Sequence, residues 1–127
     1  VISTATQIGR SLDTYATTHN NSYPVVGSID SVIGVLNTNG ESKISTYSPP
    51  SGYVISYFTA PATCTTATQD CTGYAVVVTG LKSKRYTGAS TPNFQVVNGK
   101  SCVVTAANTI TQSDITASPT NPAHSCQ

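Results

Sequence analysis

The residues of this 127-residue chain best suited to chemistry are four cysteines, Cys64, Cys71, Cys102 and Cys126. Cysteine thiolates bind zinc, but a structural zinc site needs closely spaced C-x-x-C pairs or histidines at ligand spacing, and neither pattern occurs. An even number of cysteines in a small chain without Met or Trp instead predicts two disulfides and an oxidising compartment. Four cysteines allow three pairings, and their spacing leaves the choice open.

Acidic and histidine side chains offer a second kind of chemistry, general acid–base catalysis. The acids are scattered along the chain as Asp13, Asp30, Glu41, Asp70 and Asp114. A Ser-His-Asp site assembles in space, so spacing alone does not reveal one, but no G-x-S-x-G elbow supports it. Of the two histidines, His124 lies near the C-terminus, and His19 suits a helix C-terminal cap better than a general base. We therefore expect no enzymatic activity and no cofactor.

One basic cluster, formed by Lys82, Lys84 and Arg85 with Tyr86 beside it, is a candidate ligand-binding site. It would contact DNA or a host surface through its charges and its aromatic ring. Three charges release few counterions, however, and lysines also occur in hairpin turns because they keep sheet edges soluble. We interpret the cluster as a solvated turn and keep ligand binding as the alternative.

The composition argues against several kinds of partner. Only 9% of the residues are charged and the formal net charge is +1, so there is no electrostatic case for wrapping nucleic acid or docking on anionic lipid. No apolar run reaches the 18 residues of a membrane-spanning helix, and no signal peptide is visible. Because a disulfide protein must be exported, we expect the export signal to lie outside this sequence.

A helix over residues 1–20 is predicted from the first apolar pattern. One stripe at helical spacing consists of Ile2, Ala5, Ile8, Leu12, Tyr15 and Ala16. The β-branched content is high, so packing against the rest of the domain must hold this helix. Asn20 and Asn21 suit a left-handed C-terminal cap, and Pro24 prevents continuation of the helix.

Residues 21–51 are predicted as a long loop that connects the helix to a sheet. Its turn signals are Gly27, Gly34, Asn39-Gly40 and Pro49-Pro50. Within it, Ile29–Asn37 is expected to form a short helix or strand. The side chains expected to point inwards are those of Val32, Val35 and Leu36.

Residues 52–106 have the alternating, β-branched pattern of an antiparallel sheet with three or four strands. The predicted strands are Gly52–Ala60, Gly73–Leu81 and the two halves of Asn93–Ala106, with a short strand beginning at Tyr86 as a further option. The second of these is almost continuously apolar, which indicates a strand central to the sheet. Residues 107–127 are predicted as a C-terminal loop tied down by Cys126. The chain is thus predicted to form one α+β domain, in which a helix packs on an antiparallel sheet and a disulfide holds the C-terminal loop.

The end of the helix carries a motif that resembles type IV pilins and pseudopilins. Leu12, Tyr15, Tyr23 and Pro24 match the family pattern L-x-x-Y followed by Tyr-Pro. The layout of helix, variable loop, antiparallel sheet and C-terminal cysteine pair is also similar. The resemblance implies that Cys102 pairs with Cys126 and closes the segment known as the D-region.

The resemblance also implies a function as a structural subunit of an extracellular type IV pilus, a fibre used in motility, adhesion or DNA uptake. Val1 would then lie partway along a longer helix. Its hydrophobic first half, which carries a glutamate near its start and follows a leader cut by a prepilin peptidase, would precede this sequence. That half would hold the precursor in the cytoplasmic membrane and then pack into the filament core.

The implied partners are other pilin subunits and the pilus assembly machinery. Two alternatives remain within the family: a minor pilin that acts as an adhesin or DNA-binding module, and a pseudopilin of a type II secretion system. Major pseudopilins often carry a calcium site in the loops beside the sheet. This sequence has no equivalent acidic cluster, so we favour the pilin over the pseudopilin.

Overall fold

The computed structural model describes residues 2–26, 28–38, 40, 53–61, 63–80 and 92–126. These residues include three helices: α1 at Ile2–Thr17, α2 at Ile29–Thr38 and α3 at Gln112–Ala117. The described part of the chain also has four strands: β1 at Val54–Ala60, β2 at Gly73–Thr79, β3 at Pro92–Val97 and β4 at Lys100–Thr105. A 3-10 turn follows at Ala106–Asn108. An N-terminal helix packed on a four-stranded antiparallel sheet confirms the expected α+β class.

The apolar stripe of α1 faces the sheet, as its spacing predicts. Ala5, Ile8 and Leu12 are completely buried, and the helix packs over β2 and β3. The helix ends at Thr17, and Asn20 and Asn21 then adopt positive φ angles of 58° and 57°. The Asn21 N–H donates to the Ala16 carbonyl oxygen at 2.8 Å. The two asparagines therefore form the predicted left-handed cap.

The sheet is a simple meander in the order β1-β2-β3-β4, with every neighbouring pair antiparallel. The β3–β4 hairpin has a two-residue turn, Asn98-Gly99, between the paired residues Val97 and Lys100. Both turn residues have positive φ, 50° and 87°. A tight hairpin turn of this kind favours Asn-Gly because these residues tolerate the left-handed conformation.

Both faces of the two central strands, β2 and β3, are covered. On one face, the side chains of Tyr74, Val76 and Phe94 pack with α1 and α2 in the main hydrophobic core. On the other face, Ala75, Val77 and Val97 pack with Ile110 and Ile115 of the C-terminal segment. Every residue of β2 from Gly73 to Val78 is buried. The continuous apolar pattern that predicts a central strand is therefore explained by burial on both sides.

The second helix, α2, settles the open choice between helix and strand for the segment from Ile29. Val32 and Leu36 are fully buried, Ile33 is nearly so, and Val35 is half-buried. The helix packs on α1 and β1. Val32, Val35 and Leu36 recur at helical spacing, so one face of α2 extends the core formed by α1.

The C-terminal segment has more structure than the predicted loop. We call Ala106–Cys126 the C-terminal strap, and it contains the 3-10 turn and α3. The Thr111 side chain accepts from the Asp114 N–H, and the Asp114 side chain accepts from the Thr111 N–H, which is a capping box. Ile115 is fully buried against the sheet. The six-residue helix is short, so its periodicity in the sequence is weak.

Candidate functional site

Two disulfides are formed, Cys64–Cys71 and Cys102–Cys126, with Cα–Cα distances of 5.1 and 5.6 Å. This is the nearest-neighbour pairing, and it includes the pair that the pilin resemblance implies. No cysteine is free to bind a metal. The first bond closes a loop between β1 and β2, and the second ties the end of the C-terminal strap to β4.

The Cys64–Cys71 loop holds the chain where it leaves α1. The Cys71 N–H donates to Ser22 Oγ at 3.0 Å, and the Tyr23 N–H donates to the Cys71 carbonyl oxygen at 3.1 Å. The Val25 N–H donates to Thr66 Oγ1 at 2.8 Å. We call this set of contacts the helix-exit clasp. It fixes the direction in which the backbone leaves the helix.

The Tyr-Pro motif lies inside the helix-exit clasp. The hydroxyl of Tyr57 on β1 donates to the Pro24 carbonyl oxygen at 2.7 Å. The ring of Tyr23 packs edge-on against Tyr74, with ring centroids 4.6 Å apart. Burial raises the pKa of the Tyr57 hydroxyl above its ordinary value. The motif therefore joins the helix end to the sheet through one hydrogen bond and one aromatic contact.

A shallow groove of about 160 Å³ runs between α1 and the β3–β4 hairpin. It is lined by Thr6, Gly9, Arg10, Asp13, Val96, Gly99 and Ser101. Arg10 and Asp13 lie one turn apart on α1, so the groove presents charges of both signs beside hydroxyl groups. These groups suit contacts with a polar surface rather than enclosure of an apolar ligand.

Beneath this groove, the buried Tyr74 hydroxyl contacts both α1 and the β3–β4 turn. It lies 3.2 Å from the Gly9 carbonyl oxygen and 3.5 Å from Asp13 Oδ1, and it accepts from the Gly99 N–H at 3.1 Å. Burial raises the pKa of Tyr74, as does the nearby Asp13 carboxylate. Partial desolvation raises the pKa of Asp13, against a smaller opposing effect of the Tyr74 hydrogen bond.

The other described acids serve local structure. Asp114 completes the capping box of α3, and Asp30 lies in the first turn of α2, where the helix dipole favours it. The fully exposed Asp70 accepts from the Thr68 hydroxyl and from the Thr65 N–H, and these two hydrogen bonds lower its pKa. Within the described ranges, no group of three His, Cys, Asp or Glu side chains could hold a metal ion.

One histidine caps a helix and the other is exposed to solvent. His19 Nδ1 lies 2.8 Å from the Tyr15 carbonyl oxygen, and its ring stacks on that of Tyr15 with centroids 3.7 Å apart. This is the capping position expected from the sequence. His124 is exposed and has a φ of 62°, and its carbonyl oxygen accepts from Gln95. The absence of enzymatic activity stays a prediction.

The predicted basic cluster, Lys82, Lys84, Arg85 and Tyr86, lies outside the described residues. Its role in binding DNA or a host surface therefore stays a prediction, and so does the short strand expected to begin at Tyr86. Glu41 also falls outside the described ranges.

Three side-chain amides on β3 and its turn into β4 have positions that the sequence patterns did not indicate. Asn93, Gln95 and Asn98 all hold the C-terminal strap. Gln95 is completely buried, which is unusual for a polar side chain unless it is hydrogen-bonded. In the sequence, the one signal for the buried position of Gln95 is an uncharged amide side chain within an apolar strand pattern.

The outward face of α1 is polar and exposed. Its exposed residues are Ser3, Gln7, Arg10, Asp13, Thr14 and Thr17. The single cation and single anion balance each other, so copies of this face repel one another little. Such a face can pack against another protein surface without burying unpaired charge of one sign.

The fold defines the class as an α+β domain with one long amphipathic helix on an antiparallel meander and a disulfide-tied C-terminal strap. None of the described helices has the length and apolar character needed to cross a membrane. Comparison with known proteins finds no matching family model, no matching curated protein and no matching solved structure.

Proposed function

We propose that this chain is the globular domain of a type IV pilin, a structural subunit of an extracellular filament. The observation that carries the proposal is the order of the elements around the two disulfides. A helix packed on β2 and β3 leads through the Tyr-Pro motif into an antiparallel meander, and Cys102–Cys126 ties the C-terminal strap to the last strand. This is the layout that the resemblance of Leu12, Tyr15, Tyr23 and Pro24 to the pilin motif implies.

The helix-exit clasp supports the proposal physically. In a filament whose subunits join through a helical spine, the angle between helix and globular domain must be the same in every copy. Ser22, Tyr23 and Pro24 are held by hydrogen bonds to the Cys64–Cys71 loop and to Tyr57. A disulfide-closed loop is well suited to this because its own conformational freedom is small.

The partners of such a subunit are other copies of itself, and its location is a surface filament. Each subunit would bind other copies through heterologous contacts, which generate open filaments rather than closed rings. The hydrophobic helix half that the resemblance implies upstream of Val1 would hold the precursor in the cytoplasmic membrane, where the assembly machinery acts on it. The mature subunit would lie in a filament at the bacterial cell surface.

The proposal also divides the surface into a contact face and an outer face. The outward face of α1 and the segment 25–50, which contains α2, would touch neighbouring subunits, and the C-terminal strap would lie on the filament exterior. Gln7 is an exposed residue of the first face, and Ser113 is an exposed residue of the second. The same substitution at these two positions therefore separates the two roles.

We predict that Gln7→Arg in the full-length protein reduces filament yield at least tenfold, since an unpaired charge buried in an interface costs several kcal/mol. Ser113→Arg, the matched control, should leave the yield unchanged. The measurement is the amount of subunit in the sheared surface fraction of a source strain that lacks the chromosomal gene and carries each variant.

Thermal stability equal to that of the wild type in both purified variant domains shows that neither substitution acts through folding. The proposal fails if deletion of the gene leaves the strain's surface filaments unchanged and the protein is found only as a soluble monomer.

A further inference from the structure

The C-terminal strap is a layer separate from the main core. The hydrophobic cluster that contains α1, α2 and one face of the sheet shares no residue with the cluster beneath the strap. Within the strap, the large apolar side chains buried in the second cluster are those of Ile110 and Ile115. The sheet residues of the same cluster are two alanines and two valines, with the half-buried Phe58 packed beside them: Ala60, Ala75, Val77 and Val97. This cluster is smaller than the main core, so lifting the strap would remove less apolar burial than unfolding the domain.

Most of the remaining attachment consists of hydrogen bonds between amide side chains and the strap. Gln95 Nε2 donates to the His124 carbonyl oxygen at 2.6 Å, and Gln95 Oε1 accepts from the Ile110 N–H at 3.0 Å. Asn93 Nδ2 donates to Thr109 Oγ1 at 2.7 Å. Each of these bonds replaces one to water, so its net contribution is small.

The covalent attachment is stronger. The strap continues directly from β4 at Thr105, and Cys126 at its far end is bonded to Cys102 on the same strand. The strap is therefore a closed loop with a sequence separation of 24 residues. If it lifts from the sheet while the bond is intact, its ends stay together and little conformational entropy is gained.

We propose that the C-terminal strap can leave the sheet as a unit while α1 and the four strands stay folded, and that the Cys102–Cys126 bond holds it in place. A dithiol reductant would release it: its thiolate attacks one sulfur, the S–S bond breaks, and the reductant is oxidised to a disulfide as Cys102 and Cys126 become thiols. The device is independent of filament assembly.

Asn98 supplies a chemical reporter of the strap's position. Asn-Gly pairs deamidate when the glycine nitrogen attacks the Asn Cγ, forms a succinimide and releases ammonia; water then opens the ring to aspartate or isoaspartate. Here Asn98 Oδ1 accepts from the Tyr74 N–H and its Nδ2 donates to the Pro119 carbonyl oxygen, both at 2.9 Å. Pro119 belongs to the strap, so release of the strap frees the Asn98 amide on that side.

The test is amide hydrogen exchange of the purified chain, read by mass spectrometry. The double variant Cys102→Ser/Cys126→Ser should exchange its strap amides, including that of Ile110, about 100-fold faster than the wild type. Amides of α1 and β2 should keep their protection. Peptide mapping should find faster deamidation of Asn98 in the same variant.

The matched control is Cys64→Ser/Cys71→Ser, which removes the other disulfide and should leave the strap protected. The proposal is overturned if the strap keeps its protection in Cys102→Ser/Cys126→Ser, or if α1 and β2 lose protection by the same factor. It is equally overturned if the control variant releases the strap to the same extent.

A second measurement applies if Cys102→Ser/Cys126→Ser does not fold. Amide hydrogen exchange of the oxidised wild-type chain is measured in a series of denaturant concentrations, all too low to unfold the domain. The dependence of the exchange rates on denaturant separates local from global opening. Strap amides should exchange through an opening less dependent on denaturant than that of β2, because less surface is exposed. Identical denaturant dependence in the two segments would show that the strap opens only with the whole domain and would overturn the proposal.

Discussion

Asp13 and Asp70 show how two aspartates in one small domain have opposite environments. Asp13 lies at the groove beside Tyr74, where partial desolvation raises its pKa. Asp70 is fully exposed and accepts hydrogen bonds from Thr68 and Thr65, which lower its pKa. A raised pKa means that folding disfavours the charged carboxylate, and a lowered pKa means that folding favours it.

These shifts predict opposite pH dependences. Asp13 has its ordinary pKa of 3.8 in the unfolded chain and a higher pKa in the folded domain. As the pH rises from 3.8 through the folded pKa, the Asp13 carboxyl therefore lowers the free energy of unfolding. Asp70 has a pKa below 3.8 in the folded domain. As the pH rises from that folded pKa to 3.8, the Asp70 carboxylate raises the free energy of unfolding, and this contribution is lost on acidification. We expect Asp13→Asn to remove the first dependence and Asp70→Asn to remove the second.

The measurement is the free energy of unfolding by denaturant from pH 2 to pH 7 for the wild type and both variants. Relative to the wild type, Asp13→Asn should gain stability as the pH rises and Asp70→Asn should lose it. Parallel curves for the two variants would contradict the assigned environments.

The C-terminal strap comes very close to the sheet where β2 begins. A Cβ atom added at Gly73 would lie 2.2 Å from the carbonyl oxygen of Pro119, far inside van der Waals contact. Gly73 is therefore the point at which the C-terminal strap crosses the backbone of β2. Only a residue without a side chain lets the two backbones approach this closely.

We predict that Gly73→Ala destabilises the domain by about 1–3 kcal/mol, because the new methyl group must displace the strap. Gly34→Ala is the matched control, since a Cβ at Gly34 on α2 meets nothing within 4 Å; it should stabilise the domain by up to about 1 kcal/mol. Thermal unfolding of the two variants measures both effects. Equal destabilisation by both would indicate that the strap does not press on β2.

At the level of elements, the sequence predicts those that have a long, regular pattern. The stripe Ile2, Ala5, Ile8 and Leu12 indicates the buried face of α1 because helical periodicity extends over several turns. The nearly unbroken apolar run of β2 indicates its central position. Asn98-Gly99 indicates the hairpin because few residue pairs tolerate two positive φ angles.

The rest depends on contacts between residues distant in sequence. The six residues of α3 show too little periodicity to be recognised, and the pair of Thr111 and Asp114 was the only local signal for that helix. Gln95 contacts the strap at Ile110 and His124, and the groove at Asp13 forms only once α1 lies on the sheet. Such sites follow from tertiary packing, which no local pattern encodes.

At the scale of the whole molecule, the domain has a polar helix face on one side and a disulfide-tied strap on the other, with the sheet between them. This polarity fits a subunit that must present one face to its neighbours and another to solvent. The low content of charged residues, 9%, limits repulsion between many copies of the same surface. In the proposed filament, the helix-exit clasp would give every copy the same orientation relative to the helical spine.

Cryo-electron microscopy of filaments sheared from the source cells tests the pilin proposal most directly. The account predicts a helical filament whose subunit density fits this domain, with the outward face of α1 turned towards neighbouring subunits and the C-terminal strap on the exterior. In such a map, α1 would continue upstream of Ile2 into a helical core. Filaments built from another protein, or a map in which the strap is buried and the polar face of α1 lies in solvent, would contradict it.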